Sequence, residues 1–168
     1  MSFRRVVVKT VYLSLGSNIG DREANLRAAL NQLAGAGLRI QRISPLYETE
    51  PVDLAAQRWF LNLVAEAETD LFPLQLLART ERIERALGRV RTVPKGPRTI
   101  DIDILLYANA VVRGDTLEIP HPRMAERRFV LVPLADLAPA LRHPVTRLTV
   151  REMLDAAPAA AVRPYAPC

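Results

Sequence analysis

The sequence predicts an α+β fold in which two helices pack on one face of a mostly antiparallel sheet. Three observations carry this. Patterned segments follow in the order strand, helix, strand, strand, helix, strand. Both helical segments are amphipathic and end at glycines, Gly35 and Gly37 for the first and Gly88 for the second. Residues 59–69 and 100–107 alternate with the period of two that a strand requires. This order is the split βαβ, ferredoxin-like core. A hairpin and short C-terminal helices extend it.

Composition bounds the rest. The chain has 168 residues, 49% of them apolar, which suits one domain with its own core. The domain is expected over 1–157, with a frayed Ala/Pro-rich tail over 158–168. No apolar run is long enough for a transmembrane helix, and no membrane partner is expected. The apolar run after Arg5 is interrupted by Lys9 and lacks a cleavage site, so it reads as a strand of the mature chain. The single cysteine, Cys168, excludes a disulfide framework and a thiolate metal site, which fits a reducing cytoplasm. Net charge is +5, almost all from arginine, with lysine only at 9 and 95. The arginines form no compact basic helix, which favours a nucleotide over a nucleic acid as the anionic ligand.

Residues 6–15 are β-branched and apolar, a strand. The turn Gly16 to Asp21 lacks the Gly-Lys-Ser/Thr ending of a Walker loop and reads as a tight turn into a helix capped by Asp21. That helix spans 22–36 on Leu26, Leu30 and Leu33, with Ala29 and Ala34 beside them. A second strand over 38–47 meets Pro45, which marks an edge or a bulge. Residues 48–58 have no clean period and read as a long loop, a common place for function. In the strand 59–69, Phe60 and Asn62 share a face, a cradle for a flat heterocycle or simply core and strand end. Pro73 opens the second helix, which buries Leu76, Leu77, Thr80, Ile83 and Leu87. Glu84 sits in its last turn, where the dipole disfavours an anion. Arg89 or Arg91 nearby, or a ligand, would account for it.

The stretch Arg89 to Asp103 carries the chemistry. Arg89, Arg91, Lys95 and Arg98 run directly into Asp101 and Asp103, which a strand points to one face while Ile100, Ile102 and Ile104 point to the other. Two acids side by side on a buried strand call for a counterion, and cations upstream suggest phosphate. The pattern predicts a phosphate-handling site with Mg²⁺ on an Asp-x-Asp pair. A hairpin follows over 108–119, turning at Gly114-Asp115. His121, held between two prolines, is a ligand candidate; His143 lies in a polar, surface-like stretch. Phe129 is a second aromatic wall for Phe60. Short helices are expected over 133–138 and 150–157, the latter capped by Thr149 and Glu152.

With these pieces in hand, the chain over roughly residues 11–139 resembles the 6-hydroxymethyl-7,8-dihydropterin pyrophosphokinase family of folate synthesis. The resemblance rests on Leu15-Gly16-Ser17-Asn18 with Gly20, Tyr47-x-Thr49 with Pro51, Phe60-Leu61-Asn62, and Glu84 with Gly88-Arg89-x-Arg91. It continues through Gly96-Pro97-Arg98-Thr99-Ile100-Asp101-Ile102-Asp103-Ile104-Leu105, Pro120-His121-Pro122-Arg123-Met124 and Arg127-x-Phe129-x-Leu131-x-Pro133-Leu134. It implies an ATP-dependent diphosphokinase: the pterin hydroxymethyl oxygen attacks the β-phosphorus of ATP, and AMP leaves. It implies two Mg²⁺ at Asp101 and Asp103. It implies Phe60 and Phe129 stacking on the pterin, with Asn62, Thr49 and Val52 at its edge. It places Arg89, Arg91, Arg98, His121 and Arg127 near the triphosphate, with Glu84 and Ile104 also on the nucleotide side. The partners implied are two small molecules, with no nucleic acid, and a monomer or at most a weak dimer. The chain departs from the family's frequent Arg-Trp before Gly-Pro-Arg, carrying Pro94-Lys95 instead. The competing class is a non-catalytic nucleotide or RNA-binding module on the same sheet, which leaves Asp101 and Asp103 unexplained.

Overall fold

The structure, a computed structural model, describes residues 7–52, 56–88 and 98–166. Arg89, Arg91, Pro94, Lys95 and the centre of the 48–58 loop, all singled out above, lie outside the described residues.

The chain runs β1 (Lys9–Ser17), α1 (Arg22–Ala34), β2 (Leu38–Ile43), β3 (Tyr47–Thr49), β4 (Phe60–Thr69), α2 (Pro73–Ala86) and β5 (Asp101–Tyr107). The short hairpin β6 (Val112–Arg113) and β7 (Glu118–Ile119), a 3₁₀ turn at Met124–Glu126, α3 (Arg128–Leu137), α4 (Val150–Ala156) and β8 (Val162–Pro164) follow. The main sheet is antiparallel in the order β5-β1-β4-β3-β8, with β2 also on β4. With β2 and β3 taken as one interrupted strand, this is the split βαβ order that the sequence predicts.

Local chemistry explains the interruption. Pro45 has no N–H to give the ladder. Ser44 compensates: its N–H donates to Val64 O at 2.9 Å, and its Oγ accepts the Val64 N–H at 2.9 Å. The expected single strand 38–47 is therefore two, and its second half takes three residues from either side of the expected loop boundary. Asp21 caps α1 by accepting the Ala24 N–H, and Gly88 ends α2 with φ 86°.

The two sheet faces are filled differently. Leu13, Leu15, Leu61, Leu63, Ile102 and Ile104 pack with Leu26, Ala29 and Leu33 of α1 and Leu76 and Ile83 of α2. On the other face Tyr12, Val64 and Leu105 pack with Met124 and with Val130, Leu131 and Leu134 of α3. α3 begins at Arg128, five residues before the helix that the sequence suggests, because Pro133 falls inside it and does not start it. Among the described residues no helix is long and apolar enough to cross a membrane.

Two further expectations change. His143 is only 9% exposed, not on the surface: its Nδ1 accepts the N–H groups of Val145 and Thr146, and burial lowers its pKa. In place of a frayed tail beyond 158, residues 162–164 form β8, paired with β3.

Candidate active site

The strand register lines the candidate residues up in rows. Gly16 of β1 lies between Asp101 of β5 and Asn62 of β4, and Asn62 lies opposite Tyr47 of β3. One step along, Ser14 lies between Asp103 and Val64. α3 covers this face from Val64 onward. It leaves the first row open as a cavity.

Phe60, Asn62, Thr49, Val52, Glu50 and Gln57 line one end of that cavity, and Arg98, Asp101, Asp103 and Arg127 line the other, with Ser14, Gly16 and Phe129 between. A second cavity, lined by Leu77, Ile104, His121, Pro122 and the hairpin residues 114–118, also includes Asp103. Asp103 thus stands where the two meet.

At the first end the polar groups are paired. Asn62 is buried, and its Nδ2 donates to Thr49 Oγ1 at 2.5 Å. A Cβ on Gly16 would lie 2.4 Å from Asn62 Oδ1, so only glycine leaves room for this amide. At the second end Arg98 Nη1 donates to Asp101 Oδ2 at 3.1 Å, while Arg127 Nη1 and His121 Nε2 stand 3.8 and 4.0 Å from Asp103 Oδ2. Arg98 and Arg127 lie 6.0 and 5.5 Å from the ring centroids of Phe60 and Phe129. Burial, then the charge of Asp101, raise the Asp103 pKa well above the usual carboxylate range, although the side chain keeps 29% exposure through the cavity. His121 is pushed down to about 4, by burial first and then by Arg127. It is neutral at physiological pH. Its Nδ1 accepts the Arg123 N–H at 3.1 Å, so Nε2 carries the hydrogen that faces Asp103.

The donor set suits a hard divalent cation. Two carboxylates on one face repel each other, and a cation between them removes that cost. Among the described residues no group of three or more His, Cys, Asp or Glu could hold a metal, so other ligands would have to be phosphate or water oxygens.

Asn18 is the residue whose importance the motif alone did not explain. Buried, it donates from Nδ2 to Gln57 Oε1 (2.9 Å) and Arg58 O (3.0 Å), and its Oδ1 accepts the Arg98 N–H (2.7 Å). It ties the two ends of the cavity together. Ser14, Glu50 and Gln57 were also missed as lining residues; a serine inside an apolar strand was the one available signal. Glu84 lines neither cavity. It is 5% exposed, and its Oε2 accepts the Ile102 N–H at 3.1 Å, serving the ladder at the outer strand β5.

The chain is similar to known proteins of one family. The family model described as 7,8-dihydro-6-hydroxymethylpterin-pyrophosphokinase (HPPK) matches residues 12–139. The chain is 46% identical over 136 residues to a Bacillus subtilis 2-amino-4-hydroxy-6-hydroxymethyldihydropteridine pyrophosphokinase, covering 80% of this chain and 81% of that one. It is 48% identical over 144 residues to the Methylorubrum extorquens protein of the same name, covering 85% and 90%. Against the Schizosaccharomyces pombe folic acid synthesis protein fol1 it is 46% identical over 94% of its own length, but spans only 22% of that longer protein. The crystal structure of wild-type Plasmodium falciparum HPPK-DHPS with pteroate superposes with a TM-score of 0.69 at 18% identity, over 89% of this chain and 42% of that one, which shows the fold.

Proposed function

Since the chain belongs to the 7,8-dihydro-6-hydroxymethylpterin-pyrophosphokinase family, we propose that it transfers pyrophosphate from ATP to the hydroxymethyl group of 6-hydroxymethyl-7,8-dihydropterin. The observation that carries this is one cavity with an aromatic, amide-bearing end and a cation-ringed carboxylate pair at the other. It also favours an enzyme over an RNA-binding module: Phe60 and Phe129 line the same enclosed space as Asp101 and Asp103.

The chain's residues divide the work. Phe60 and Phe129 take the faces of the pterin, while Asn62, Thr49 and Val52 meet its edge. Arg98, Arg127 and the neutral Nε2–H of His121 face the phosphates, where donors fixed in advance stabilise charge as it builds. Arg89 and Arg91 join them in this reading, Ile104 lies at the nucleotide's side of the second cavity, and Glu84 acts on that side through the Ile102 amide. Asp101 and Asp103 would hold two Mg²⁺ with the ATP phosphates, which would neutralise phosphate charge and acidify the hydroxyl. The hydroxymethyl oxygen forms a bond to the β-phosphorus, the bond from that phosphorus to the bridging oxygen of AMP breaks, and the hydroxyl proton is released. With His121 already carrying its Nε2 hydrogen and its Nδ1 occupied, the chain acts by positioning and charge, as phosphoryl-type transfer allows.

The test is AMP release from ATP and Mg²⁺ with and without the pterin. Pterin-dependent AMP, matched one for one by the diphosphorylated pterin, is the expected result. ADP in its place would move the attack to the γ-phosphorus and overturn the assignment.

A further inference from the structure

The segment after α4 returns to the rim of the cavity. β8 pairs along β3, with Glu48 opposite Arg163 and Thr49 opposite Val162. The pairing continues past β3: Glu50 N–H donates to Ala161 O at 3.2 Å, and Glu50 Oε1 accepts the Ala161 N–H at 2.7 Å. Arg163 then reaches back over two segments at once. Its guanidinium donates twice to Glu48 Oε1, at 2.7 and 3.2 Å, and lies 4.5 Å from the ring centroid of Trp59, the residue before Phe60. Arg22 grips the same pair from inside the fold, donating to Glu48 Oε2 at 2.8 Å and to Trp59 O at 2.9 Å.

Without β8, β3 would be a three-residue strand at the edge of the sheet with little to hold it. β3 carries Thr49, which pairs with Asn62, and the lining residues Glu50 and Val52 follow it directly. The hydrogen bonds and cation–ring contacts of 161–165 run to residues 46–50, to Trp59 and to Arg22, beside the aromatic end, while β8 also packs on α3 and Tyr165 on the core. Arg163 itself does not line the cavity.

We propose that β8, through Arg163, is a positioning element that fixes β3 and Trp59 so that Thr49, Asn62 and Phe60 present a rigid slot to the pterin, without acting on the nucleotide end. This rests on assigning the Phe60–Asn62 end to the pterin. Arg163 is 63% exposed at its side chain, so replacing it leaves the core intact.

The test is steady-state kinetics of the full chain with each substrate varied in turn. Arg163→Glu, which sets a like charge against Glu48, should raise the pterin KM about tenfold while the ATP KM and kcat stay within about twofold. Arg163→Ala should raise it about threefold, and Arg163→Lys should restore most of the loss. An unchanged pterin KM in Arg163→Glu, or equal movement of both KM values, overturns the proposal. Lack of pterin-dependent turnover in the unmodified chain sinks the functional assignment and this role together, a different result from equal pterin use by all four proteins.

Discussion

The two ends of the cavity differ in how much of their bonding is complete before a substrate arrives. At the aromatic end Asn62 and Thr49 already share a 2.5 Å hydrogen bond, and a glycine is required to leave the amide its place. At the carboxylate end Arg98 already bonds Asp101, but Arg127 and His121 stand 3.8 and 4.0 Å from Asp103, and Asp103 is held in surroundings that disfavour its own charge. A flat ring is recognised by a slot of fixed shape, so completing that end beforehand lowers the cost of binding. A triphosphate brings its own charges and counterions. An end with strained electrostatics is relieved by them, and binding energy concentrates where charge develops.

The sharpest break of this contrast is removal of a carboxylate. Asp101→Ala or Asp103→Ala should lower turnover by about a thousandfold or more at any Mg²⁺ concentration, with at most a small change in thermal stability, since the loss of the Arg98 bond in the first is offset by relief of like-charge repulsion. Near-normal rates in either variant across a Mg²⁺ titration would sink the two-carboxylate reading. Next is Asn18→Ala, which removes the side-chain part of the link between the ends and leaves the bond from the Asn18 N–H to Arg98 O. Leaving the partly buried Arg98 N–H and Arg58 carbonyl without this partner should cost about 1 kcal/mol of stability. It should also lower kcat/KM about a hundredfold, with both KM values rising; a change in one alone would show that the ends are held independently. Gly16→Ala should act on the aromatic end only, raising the pterin KM about tenfold as Asn62 is displaced. Calorimetric titration with each substrate separately checks this, and weakened ATP binding would contradict it.

The smallest effect concerns acid. Arg163 and then Arg22 hold Glu48 below its usual range, and Arg42 does the same for Glu66. A depressed carboxylate contributes stability that is complete above its unfolded pKa near 4.5 and is lost as pH falls through the lower folded value. Arg163→Ala should therefore lower the melting temperature at pH 7 by less than about 2 °C, with the difference from the unmodified chain closing below pH 4. A difference that persists at pH 3 would assign the loss to packing on Trp59 instead.

Much of this was legible in the chain itself. The alternation of 59–69 and of 100–107 was enough to set Phe60 with Asn62 and Asp101 with Asp103, since a strand's period leaves no choice of face. The caps Asp21, Gly88 and Thr149 were read correctly because each acts through its immediate neighbours. What escaped was long-range. Glu84 looked misplaced in its own helix, and among the described residues it serves the open edge of β5. Asn18 looked like a turn residue until Arg98 and Gln57 came within reach. The segment beyond 158 is poor in strand-forming residues, and nothing local announces that β3 needs a partner. His143 is buried by the turn it stabilises, in a stretch whose composition reads as surface.

The pairing of Arg163 with Glu48 joins residues 115 apart, and Asn18 with Arg98 joins residues 80 apart. Loop closure costs chain entropy, so both contacts depend on the β1–β5 and β3–β8 pairings that bring their segments together. The slot is therefore held in shape by contacts that only the finished sheet can supply. A substrate that binds only the finished sheet adds its binding free energy to the stability of the whole domain.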